Sequence, residues 1–137
     1  MTDIRTEDRV EDAAAIQAVL ADSYRAWAAG DADAMVADYT PDATAIMPGS
    51  LREGRGAIRD AMAAGFAGPL KDTTTSNKQL GLRFVGRDAA IVVSESAILS
   101  GDRPDVAQAA KVNATWVLEK RGGRWLIAAY HNSPVRA

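Results

Sequence analysis

Residues 108–136 read QAAKVNATWVLEKRGGRWLIAAYHNSPVR. Two apolar runs rich in Val, Ile, Leu and Trp flank the short connection Arg121-Gly122-Gly123. Two extended runs joined by so few residues, with glycine at the bend, form an antiparallel hairpin. Upstream, DAAIVVSESAILSG (88–101) and TTTSNKQLGLRFVG (73–86) read as two more strands, joined at Gly86-Arg87-Asp88. Alternation there places Leu80, Leu82 and Phe84 on one face, with Gly81 and Arg83 on the other. Ser100 to Asp105, SGDRPD, is the longer loop of the meander.

Before Lys71 the period is helical. From Glu11 to Ala29, Ile16, Val19, Leu20, Ser23, Tyr24 and Trp27 recur on one stripe, and Gly30 supplies a stop. Asp31 can cap a second helix through Tyr39, which Pro41 ends. DATAIMPGS (42–50) is a short extended run turning at Pro48-Gly49. Glu53-Gly54-Arg55-Gly56 leads into a third helix, about Ala57 to Ala67, with Ile58, Met62 and Phe66 on one face. Helices segregated from an antiparallel meander predict an α+β fold: a strongly curved antiparallel sheet with three helices on its concave face. One domain is expected over residues 1–137, with its core at about 11–135.

Of the 137 residues, 47% are hydrophobic and 25% charged, with a net charge of −2. Acids and bases are mixed along the chain, so there is no basic stripe for nucleic acid. Without cysteine, disulfides, thiolate catalysis and thiolate metal sites are excluded. MTDIRTEDRVEDAA lacks the apolar core of a signal peptide, and no apolar run approaches the ~20 residues of a membrane span. A cytoplasmic protein is expected, without membrane partners. Asp31 and Asp33 have no ligand-spaced companions, so no metal is expected. REGRG lacks the spacing and lysine of a phosphate loop, and no cofactor is expected. Asp42, in TPDATA, reads as a turn or capping residue.

SYRAWAAGDADAMVADYTPDATAIMPG (23–49), REGRGAIRDAM (52–62) and GGRWLIAAYHNSPV (122–135) together carry a resemblance over about Glu11 to Val135. The chain resembles the nuclear transport factor two-like superfamily, whose cone-shaped fold is shared with SnoaL-like polyketide cyclases and ketosteroid isomerases. The closing HNSPV is most similar to the SgcJ/EcaC-type subfamily, some of whose members accompany enediyne antibiotic biosynthesis. One fold hosts many chemistries, so the resemblance implies an architecture before an activity.

A curved sheet covered by helices leaves a concave pocket suited to a small apolar ligand. In the last strand, strict alternation puts Trp125, Ile127, Ala129, His131 and Ser133 on one face and Asn132 on the other. The Trp125 face matches the family's inward face, which directs His131 and Ser133 to the pocket. Both faces are apolar for most of their length while helices cover one. A homodimer across the outer face is therefore expected, and the resemblance implies the same.

His131, the only histidine, is either a proton donor and acceptor at the pocket or bonded to a carbonyl or carboxylate at the sheet edge. Glu95, amid Ile91, Val93, Ala97 and Leu99, is either a second acid/base or a partner of Lys78, Lys111 or Arg83. Asn113 and Lys111, on the next strand, are polar pocket groups or members of cross-strand pairs. Tyr24, Trp27, Tyr39, Met47, Met62 and Phe66 are core residues singly; together they form an aromatic and thioether wall for a flat unsaturated ligand. Tyr24 can offer its hydroxyl to an oxyanion.

The catalytic sets of the well-understood relatives are missing. No aspartate falls on the inner faces of the last two strands, and a lone histidine cannot act as a pair. Two function classes remain: a cofactor-independent cyclase, isomerase or dehydratase acting on a polyketide or polyene with His131 as acid/base, and a non-catalytic protein that holds such an intermediate.

Overall fold

A computed structural model describes residues 9–100 and 110–135. Helices α1 (Val10–Ala29) and α2 (Ala32–Met35) precede strands β1 (Tyr39–Met47) and β2 (Ser50–Glu53). Helix α3 (Arg55–Phe66) follows, then β3 (Thr73–Phe84), β4 (Ala89–Ser100), β5 (Lys111–Arg121) and β6 (Arg124–Pro134). All six strands join one curved sheet in the order β2-β1-β6-β5-β4-β3. The α+β architecture is the expected one, with one topological difference: β1 and β6 run parallel, while the other pairs are antiparallel. The chain reaches β1 from the helix hairpin and places it beside its last strand.

Gly30 ends α1 in the left-handed region at φ 68°, where glycine carries no Cβ penalty. The Asp31 carboxylate then accepts from the Ala34 backbone N–H at 3.0 Å and caps α2. The second helix stops after Met35 rather than reaching Tyr39. Two forces end it: the residue before Pro41 is disfavoured in helical conformation, and the Ile127 N–H binds the Asp38 carbonyl at 2.7 Å, drawing the chain into the sheet. REGRG likewise begins as strand, since Ser50 to Glu53 pair with Met47 to Thr44.

Ile16 and Leu20 of α1 and Ile58 and Met62 of α3 are buried against Ala43, Val92, Leu118 and Ile127 of the sheet. This core defines the inner face. Along β5 it takes Ala114, Trp116 and Leu118, and along β4 Ala90, Val92 and Ser94.

Register shifts occur at three places, one of them between Tyr39 and Thr44 of β1 against β6. In β3, Gln79 pairs with Ser94 but Gly81 with Val93, so Leu80 is an extra residue. It is 53% exposed and does not share the inner face with Leu82 and Phe84. In β6, Ile127 pairs with Leu118 but Ala129 with Val117, so Ala128 has no partner. Each β-bulge reverses which face later residues occupy.

Candidate functional site

The bulge at Ala128 decides what β6 delivers to the interior. Trp125 and Ile127 are buried on the inner face. Beyond the bulge Tyr130 and Asn132 point inward, while Ala129, His131 and Ser133 face outward. The row across the sheet runs Arg52–Ala45–Tyr130–Trp116–Val92–Leu82, and the next row carries Asn132, Ala114 and Ser94. The expected facing of His131, Ser133 and Asn132 is thus reversed, because the extra residue becomes visible only against β5.

His131 is exposed and lies between Thr115 and Ile46. Ser133 and Asn113 are exposed neighbours in register on that same face. Glu95 is there too, opposite Asn113 and Lys78, with Lys111 Nζ 3.9 Å from its carboxylate. Both groups are about one-third exposed, so this contact adds little stability. None of His131, Glu95, Asn113 and Ser133 lines the interior.

The interior holds a cavity of about 460 Å³, within the usual range for small-molecule sites. Tyr24, Trp27, Tyr39, Met47 and Met62 line it. Phe66 stands behind, edge-on to Trp27 with ring centroids 5.6 Å apart, and fixes that indole rather than touching the cavity. Trp27 donates its indole N–H to Thr73 at 2.9 Å, and Thr73 donates to the Leu70 carbonyl at 2.7 Å. Trp116 forms the opposite wall, 4.4 Å from the Tyr130 ring and 6.0 Å from that of Tyr24.

Arg52, Trp116, Tyr130 and Asn132 are lining residues that sequence reading missed. For Tyr130 and Asn132 the alternation signal was present but inverted by the bulge. Arg52 was hidden because β2 is only four residues long. Asn132 Nδ2 donates to the Tyr130 hydroxyl at 2.8 Å, leaving that hydroxyl's proton for another acceptor. Burial pushes the Tyr24 phenol up to about 12 and raises those of Tyr39 and Tyr130. All three are neutral hydrogen-bond donors at physiological pH.

Among the described lining residues there is no carboxylate and no imidazole, and Arg52 is the single cation. The described lining can therefore bind and orient, and it includes no carboxylate or imidazole to act as an ordinary acid/base near neutral pH. No group of three His, Cys, Asp or Glu side chains among the described residues could hold a metal. Asp33 pairs with Arg59 at 2.8 Å, and Asp42 is exposed in β1, 3.3 Å from Arg121. No described helix is long and apolar enough to cross a membrane.

Residues 16–137 match the model of the SnoaL-like domain. The chain belongs to the SnoaL-like domain family. Among curated proteins, none matches it. Solved structures give this SnoaL-like chain the same fold. A cystatin-like domain of unknown function from Nostoc punctiforme superposes with TM-score 0.82 at 20% identity, covering 93% of this chain and 79% of that one. An uncharacterized cystatin-like protein from Caulobacter vibrioides gives 0.79 at 23% identity over 92% and 91%. A ketosteroid isomerase-like protein from Erwinia carotovora atroseptica gives 0.72 at 21% identity over 90% and 96%. At these identities the likeness to SnoaL-like and nuclear transport factor two-like structures shows the fold and carries no substrate with it.

Proposed function

We propose that this chain binds and holds a small hydrophobic molecule of secondary metabolism, a flat unsaturated polyketide or polyene intermediate, without turning it over. The observation that carries this reading is the cavity wall: aromatic and thioether side chains with neutral phenols, and no carboxylate or imidazole among the described lining residues. Flat π-faces and adaptable methionines suit a conjugated ligand. The HNSPV ending supports an enediyne-type pathway as its setting. The enzymatic alternative with His131 as acid/base loses its footing, because His131 and the cavity lie on opposite faces of the sheet.

Titration of the purified protein with conjugated polyenes, followed by tryptophan fluorescence, tests this. Trp27 and Trp116 line the cavity, so saturable quenching with the ligand recovered intact is expected. Conversion of a ligand that is abolished in His131→Ala would replace this reading with the enzymatic one.

We further propose a homodimer across the outer face. Thr115, Val93 and Ala129 form a half-buried strip there, edged by the exposed Ile46 and Leu51. Light scattering is expected to give the mass of two chains for the wild type and one for Ile46→Lys. A single-chain mass for the wild type would remove the proposal.

A further inference from the structure

A cation in an apolar wall is costly unless something offsets its charge. Arg52 sits in that position. It is half-buried on the inner face of β2, beside Ala45 and in the same row as Tyr130. Its one side-chain hydrogen bond among the described residues goes to the Met62 sulfur at 3.4 Å, a weak acceptor. Three surface arginines differ. Arg59 pairs with Asp33 and Asp60, Arg121 with Glu119 and Asp42, and Arg124 with Asp38. Among the described lining residues no carboxylate does the same for Arg52.

Neutral donors also stand around it, beside Ser23, Thr75, Asn77 and Ser96, which can donate or accept. The Tyr130 hydroxyl already accepts from Asn132 and so has its proton to give. The Trp116 indole N–H, in the wall, is buried without an acceptor among the described residues. Tyr24 and Tyr39 add two more neutral hydroxyls. A site whose described lining offers one guanidinium, several neutral donors and no carboxylate is complementary to a ligand that brings acceptors and one negative charge. The planar guanidinium fork matches a carboxylate best.

We propose that the cavity is a receptor for a hydrophobic carboxylic acid, its carboxylate paired with Arg52 and its unsaturated body against the aromatic and thioether walls. This rests on the reading of the cavity as a small-molecule site and names the chemical class of its occupant. Neutral polyenes and polyketides of the same shape are poorer ligands, because they leave the Arg52 charge uncompensated.

The test uses matched pairs: retinoic, parinaric and naphthoic acids and the methyl ester of each, titrated by tryptophan quenching and calorimetry against wild type, Arg52→Met and Arg52→Lys. Thermal melting of each variant confirms that it is folded. Wild type is expected to bind at least one acid about 10- to 100-fold more tightly than its ester, the range of a charge-assisted pair. Arg52→Met should abolish that preference while leaving ester affinity in place. Arg52→Lys should retain part of it, since the charge remains but the fork is lost. Esters that bind as tightly as their acids, or an acid preference that survives in Arg52→Met, would overturn the inference and leave the small-molecule reading standing. Failure of every acid and every ester to bind would overturn both.

Discussion

The two ends of β6 hold similar side chains and put them to opposite use. Near its start, Trp125 stacks beside Phe84 with centroids 6.0 Å apart, and the Arg9 guanidinium lies 3.8 Å above the Phe84 ring. Asp12 gathers three donors there, accepting from the Trp125 indole at 2.9 Å, Arg9 at 3.0 Å and Lys120 at 3.2 Å. Near its end, Tyr130 and Trp116 form a second aromatic pair beside a second arginine, but there the arginine meets no carboxylate among the described residues and the rings border a cavity. Satisfied charge and close packing make the first end a clamp. The cavity and the neutral donors around it make the second the end proposed to hold a ligand. Between them sits the single extra residue, Ala128, which turns Tyr130 and Asn132 inward.

Deleting Ala128 attacks the division itself. It forces His131 and Ser133 inward and Tyr130 outward, or breaks the register with β5. A loss of more than about 4 kcal/mol in denaturant unfolding is expected. If the shortened chain unfolds at the wild-type denaturant midpoint, the bulge is not what sets the two faces.

Asp12→Ala breaks the clamp alone. It strips three donors of their acceptor and should cost about 2–3 kcal/mol, with ligand affinity in the cavity unchanged. The clamp also has a pH signature. The Trp125 hydrogen bond, with those of Lys120 and Arg9, holds the Asp12 carboxyl below its ordinary range. A lowered folded value means the stabilisation is full above the unfolded pKa of about 3.9 and disappears as pH falls through the folded one. The stability gap between wild type and Asp12→Ala should therefore narrow on the acid side. A gap that is flat from neutral pH to well below that range would mean that the Asp12 charge is not involved.

Tyr130→Phe probes the open end. It removes a hydroxyl that accepts from Asn132, with an expected stability change within about 1 kcal/mol but a measurable loss of ligand affinity. A large destabilisation with unaltered binding would make Tyr130 a clamp residue instead. His131→Ala is the smallest change: on the exposed outer face it should shift ligand binding by less than about 0.5 kcal/mol. A larger effect would mean that the outer face communicates with the cavity.

Much of this was legible from local pattern. The helical stripe ending at Gly30, the Asp31 cap and the four long strands all depend on neighbours in sequence and are read at their own positions; of the wall, Tyr24, Trp27, Tyr39, Met47 and Met62 line the cavity, while Phe66 stands behind it and Trp116 and Tyr130 were missed. The short β2 escaped because four residues show little periodicity, and with it went Arg52. The parallel β1–β6 pair escaped because partner and direction leave no local trace.

The sequence by itself determined the class of fold, its helix hairpin and its antiparallel meander, because hydrophobic period, capping and turn chemistry act over a few residues. Only the tertiary structure decided which side of the sheet the sole histidine occupies. An extra residue in a strand is defined by the partner it lacks, and that partner lies on another strand. The same holds for Arg52: its type is written in the chain, but that no carboxylate among the described residues lines its cavity emerges only when the surrounding walls close around it.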